Sequence, residues 1–197
     1  AHAVLDKAFA SKSGDVATVI AGEIDSAREA LVQKIGENIG VRRIAVLEPQ
    51  AGVVGSYVHS NNRIAALVAI SADSVDTAKD VAMHVTAVNP QVVNSSDMPE
   101  EVVNQEKDII KAQPDMAGKP EAIVEKMMTG RINKFLKENS LVDQPFVKDP
   151  ELSVGQLVKK AGGEVTSFVR FEVGEGIEKA KEDFAAEVAA QVAASKA

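Results

Sequence analysis

Two β-prone runs, residues 53–59 and 63–70, meet at Ser60-Asn61-Asn62, and a reversal that short leaves few folds open. Asparagine tolerates the left-handed backbone that a tight turn demands, so the two runs are expected to pair as an antiparallel hairpin. The second run holds the longest uninterrupted apolar stretch, Ile64 to Ile70, far short of the roughly 18 residues that a membrane span needs. No basic segment followed by an apolar one opens the chain. The expectation is a cytoplasmic protein that does not enter a membrane.

What fills the core follows from composition. At 197 residues the chain is one large domain or two small ones, and 45% of it is hydrophobic, yet its aromatics are six Phe and one Tyr with no Trp. The interior must therefore be built from Ala, Val, Ile and Leu. So few rings argue against a base-stacking platform, and a net charge of −7 repels a phosphate backbone, so direct nucleic-acid binding is not expected. The absence of cysteine excludes disulfides, thiolate nucleophiles and cysteine-ligated zinc.

Helical periodicity fills the remainder. Over residues 25–39, Ala27, Ala30, Leu31, Ile35 and Ile39 recur at three- and four-residue spacing behind the N-cap candidates Asp25-Ser26, and Gly40 ends the pattern. Residues 41–47 read as a strand. Val4, Leu5, Ala8 and Phe9 set a helical pattern that is already under way at Ala1, and no methionine opens the chain, so a fragment of a longer protein is expected. A helix over residues 74–88 carries Val75, Ala78, Ala82, Val85 and Val88 and closes at Asn89-Pro90. Two charged helices, residues 100–113 and 121–137, flank a short linker in which Pro114 and Pro120 bracket Gly118, which predicts a projecting antiparallel helical hairpin. A helix over 154–161, a strand over 165–173 and a helix from Ile177 onward, with Phe184, Val188 and Val192 on one stripe, complete the chain. The expected class is α+β: antiparallel sheets flanked by helices, with an inserted antiparallel helical hairpin.

Nothing in these elements composes a catalytic site. Gly174-Glu175-Gly176 follows a strand and precedes a helix, as a dinucleotide fingerprint would, but Lys179 stands where the third glycine belongs and no second strand follows. A structural turn is the better reading. Arg42-Arg43 and Lys159-Lys160 are isolated basic pairs of the kind that usually sit on solvated surface. His2, His59 and His84 lie in separate elements, with only Asp80 at helical spacing from His84, so no metal site or cofactor is expected. A lone histidine is more often packed or at the surface than a ligand. The carboxylates mostly line helix faces beside lysines, and no serine sits in a Gly-x-Ser-x-Gly elbow.

Specific strings say more. Lys34-Ile35-Gly36-Glu37-Asn38-Ile39 followed by Arg42-Arg43, Tyr57-x-His59 with Arg63-Ile64, and Ala82-Met83-His84-Val85 closely resemble the core of translation elongation factor Ts. Gly118-Lys119-Pro120, Gly130-Arg131 with Lys134-Phe135, Gln144-Pro145-Phe146-Val147, Val154-Gly155-Gln156-Leu157 and Phe168-x-Arg170-Phe171-Glu172-Val173-Gly174-Glu175-Gly176-Ile177 continue the pattern in order.

The resemblance implies a nucleotide exchange factor, not an enzyme, that binds the GTPase elongation factor Tu and speeds GDP release. It implies a remnant of a first core subdomain over 1–52, a second core subdomain over 53–91 and 141–175, a dimerisation insertion over 92–140 and a C-terminal module over 176–197. The second subdomain would grip the third domain of elongation factor Tu, with His59 and Lys79 as the best-matched contacts. The last helix would dock on the GTPase domain through Ile177, Phe184, Val188 and Val192, and the helical hairpin would support a homodimer. Two departures stand out. The family's leading three-helix module, two strands and Thr-Asp-Phe-Val segment would precede Ala1, and Lys79-Asp80 stands where relatives often carry Lys-His. The alternative is an interaction module that binds the GTPase without efficient exchange.

Overall fold

The computed structural model describes residues 1–176. The expected helix from Ile177 onward, with Phe184, Val188 and Val192, lies outside the described residues.

The hairpin forms as its turn chemistry requires. Strands β1 (Val53–Val58) and β2 (Ile64–Ile70) pair antiparallel, with Val53 opposite Ile70 and Val58 opposite Ala65. Asn62 adopts a left-handed φ of 54°, and its N–H donates to the His59 carbonyl at 2.8 Å. Strand β5 (Val165–Glu172) adds to the other side of β2, so the apolar run of β2 becomes the centre of a three-stranded sheet in the order β1-β2-β5.

Helix α4 (Val75–Val88) covers one face of this sheet. It starts where the Ser74 hydroxyl accepts the Thr77 N–H at 3.4 Å, and it ends at left-handed Asn89, directly before Pro90. Ala78, Val81, Ala82 and Val85 are fully buried against Ala66, Val68 and Ile70, with Val154 and Val158 of α7 (Val154–Lys160) closing the same core. Aliphatic packing thus carries the interior, as the composition requires. Gly55 of β1 permits the close approach of the helix: a Cβ there would lie 2.2 Å from the Ala78 carbonyl carbon.

The inserted helical hairpin comprises α5 (Glu100–Lys111) and α6 (Glu121–Asn139), packed around Ile110, Met116 and Ile132. Its two ends return to one point. The Leu141 N–H donates to the Val92 carbonyl at 2.9 Å and the Val142 N–H to the Val93 carbonyl at 3.1 Å. A short strand pair, β3 (Pro145–Phe146) and β4 (Asp149–Ser153), links the hairpin to α7 and has no counterpart in the elements expected from sequence.

The first 52 residues depart most from expectation. Helices α1 (His2–Ser11), α2 (Val16–Ile20) and α3 (Glu23–Ile35) precede a segment without regular secondary structure, so the expected strand over residues 41–47 is not formed. A β-prone run becomes a strand only where another strand completes its ladder, and none among the described residues lies alongside it. The expected helix over residues 25–39 starts earlier and ends earlier. Its stop is Gly36, left-handed at φ 73°, whose N–H bonds the Val32 carbonyl at 2.9 Å, and Ile39 falls beyond it.

Candidate partner-binding surface

Among the described residues β1 is an edge strand, and α4 packs against it. Lys79 is exposed on α4, and its backbone nitrogen would lie 2.4 Å from a Cβ at Gly55, so this turn of the helix lies directly over β1. His59 lies just past the end of β1. Gly55 and His59 are four residues apart, about 13 Å along an extended strand, and share a side by the alternation of the pleat. The structure therefore places Lys79 on the helix that covers β1 and His59 just past the end of that strand.

His59 is also tied to the turn. Its N–H donates to the Ile64 carbonyl at 2.9 Å, its Nδ1 accepts the Asn61 N–H at 3.3 Å, and the residue is half-buried. Beside Lys79, Asp80 pairs with Lys148 Nζ at 2.6 Å, a pairing across 68 residues of chain that no spacing rule could reveal. At this position the chain therefore offers a neutralised acid.

His84 belongs to a different chemistry. It is fully buried, its Nε2 meets Gln144 Oε1 at 2.9 Å, and its Nδ1 accepts the Val147 N–H at 3.3 Å. Gln144 in turn donates to the Glu138 carbonyl at 2.6 Å, so a polar chain fastens α4 to the base of the helical hairpin. Accepting at Nδ1 fixes the neutral ring with its proton on Nε2. Burial pushes the His84 pKa down, opposed in part by the Gln144 hydrogen bond. The packed-histidine reading is the observed one.

Among the described residues no group of three His, Asp or Glu side chains is placed to hold a metal ion, and no helix is long and apolar enough to cross a membrane. Shallow depressions flank the helical hairpin. One, of about 270 Å³, lies between Ile110 and Phe135 beneath Glu106 and Arg131. Ile177, Phe184, Val188 and Val192 fall outside the described residues.

Sequence comparison extends the picture beyond single residues. The family model described as Elongation factor TS matches residues 1–175. The chain is 73% identical over 194 residues to a protein named elongation factor Ts from Teredinibacter turnerae, covering 98% of this chain and 66% of that protein. Proteins of the same name from Saccharophagus degradans and Marinobacter nauticus are 71% and 60% identical, over 98% and 100% of this chain. The chain spans about two thirds of the length of these curated relatives. With the hairpin, α4, the helical insertion and the closing strand all inside the matched span, the chain belongs to the elongation factor Ts family.

Proposed function

We propose that this chain binds the GTPase elongation factor Tu and promotes the release of its GDP during translation elongation. The observation that carries the reading is family membership across residues 1–175. The factor performs no bond chemistry. It acts by binding the nucleotide-free GTPase more tightly than the GDP-bound form, and linkage then requires GDP to bind more weakly to the complex.

The division of labour follows the family resemblance. The surface of β1 and α4, with His59 and Lys79, grips the third domain of the GTPase, and the stripe of Ile177, Phe184, Val188 and Val192 docks on its nucleotide-binding domain. The helical hairpin of residues 92–140 serves as an interaction arm. Ile109 at 57% and Ile123 at 48% exposure are apolar side chains available for a second copy of the chain. Stopped-flow release of a fluorescent GDP analogue from elongation factor Tu tests the reading. Acceleration that rises with the concentration of this chain supports it. Binding without acceleration would leave an interaction module in place of an exchange factor.

A further inference from the structure

Two motifs that stand as isolated features in the sequence, the basic pair Arg42-Arg43 and the turn Gly174-Glu175-Gly176, meet in the structure. Arg43 donates to Glu175 Oε2 at 2.9 Å while its guanidinium lies 4.6 Å over the Phe171 ring, and Arg42 donates to the Glu175 carbonyl at 2.6 Å. From β5, Arg170 reaches Glu175 Oε1 at 3.4 Å and Glu172 at 2.9 Å. Gly174 and Gly176, at φ 84° and 70°, fold the chain back so that both the carboxylate and the carbonyl of Glu175 face these arginines.

Position makes this cluster more than a surface ion pair. Among the described residues, the bonds at Glu175 are the only hydrogen bonds or ion pairs that connect residues 1–52 with residues 53–176. The segment after α3 is otherwise held by the N-terminal helices themselves: Arg28 donates to the Ile39 carbonyl at 3.2 Å, and Lys12 pairs with Glu48 at 2.8 Å. It is thus a strap fastened to the helices at both ends and to the sheet at Arg42 and Arg43. The Arg170 side chain is only 9% exposed, and its Nε has no partner among the described residues, so its charge depends on Glu172 and Glu175. The hydrogen bond and charge of Arg43, then the charge of Arg170, hold the Glu175 carboxyl below its ordinary pKa.

We propose that Glu175 is a positioning residue: a latch that fixes helices α1–α3 and the strap against the end of the sheet. Opening it frees the N-terminal helices to move relative to the sheet while each part keeps its own fold. The latch lies within the chain itself and needs no partner.

The test uses the full chain. Because the protein has no cysteine, Ser26→Cys on α3 and Asp76→Cys on α4, both exposed, supply a unique pair of sites for spin labels. Pulsed electron resonance then reads the distance distribution between them. The parent should give one dominant distance. Glu175→Ala should raise the share of displaced distances roughly three- to fivefold, the scale of one partly exposed ion pair. Arg43→Ala should do the same, and the double variant should show less than the product of the two single effects, because both remove the Arg43–Glu175 pair. Hydrogen exchange at Val68 and Ile70 checks that the sheet remains folded. Should Glu175→Ala lose that protection, Arg43→Ala reports on the latch with the pairing of Arg170 and Glu175 intact. An unchanged distribution in a folded variant, or single effects that multiply in the double variant, would overturn the proposal.

Discussion

The sheet body and the N-terminal helices carry the same kind of amphipathic pattern and bury it to different degrees. In the body, Val68, Ile70, Val81 and Val85 have no exposed surface, because α4, α7 and three strands close on one another. In the N-terminal region, Leu5 is 62% exposed, Phe9 82%, Leu31 45% and Ile35 46%. Periodicity predicts which face of a helix is apolar. It does not state that the face finds a partner, and stability resides where it does.

The sharpest contrast comes from truncating one apolar side chain in each region. Ile70→Ala should cost about 2–5 kcal/mol in denaturant unfolding, through lost burial and a residual cavity. Leu31→Ala should change it by no more than about 0.5 kcal/mol, as for a surface site. Equal losses would erase the distinction between the regions. Within the body, Gly55→Ala should cost about 1–3 kcal/mol, because the added methyl meets the backbone of Ala78 and Lys79 and the helix must shift. A neutral result would mean that α4 rides on the sheet more loosely than the structure shows.

Replacing His59 and Lys79 together by alanine should weaken affinity for elongation factor Tu by about 1 kcal/mol for each of the two side chains, with thermal stability little changed. Unchanged affinity returns both residues to ordinary surface. The smallest expected effect is a slope with pH. His84 is neutral in the fold with a depressed pKa, whereas in the unfolded chain it titrates near its ordinary value of about 6.5. Above that value neither state holds the proton. As pH falls below it, the unfolded chain binds a proton that the folded chain refuses, so stability declines until the folded pKa is reached. His84→Gln should remove this part of the slope near pH 6, and identical slopes in unfolding series for parent and variant would contradict the assignment.

Much of this architecture could be read from residues alone, and the failures share a cause. Asn62 and Asn89 act through their own backbone and Ser74 through a hydroxyl three residues from its partner, so the hairpin turn and the ends of α4 were legible from local chemistry. Residues 41–47 have the side chains of a strand, but a ladder requires a neighbour that the run itself does not encode. Likewise, Lys148 neutralises Asp80, and Glu175 gathers Arg42 and Arg43, only after folding closes separations of 68, 133 and 132 residues. Of the candidate binding residues, the sequence places His59 beside the hairpin turn and Lys79 on the helix that is α4. The ties of His59 within the turn could not be read from it.

The proposed function requires that the chain recognise the nucleotide-free state of elongation factor Tu in preference to the GDP-bound state. Titration calorimetry of the chain against both forms, under one buffer and salt condition, measures that preference directly. The expected result is clear binding to the nucleotide-free form and at least tenfold weaker binding to the GDP-bound form, a difference of about 1.4 kcal/mol. Equal affinity for the two forms, or no heat with either at concentrations on the order of tens of micromolar, would contradict it.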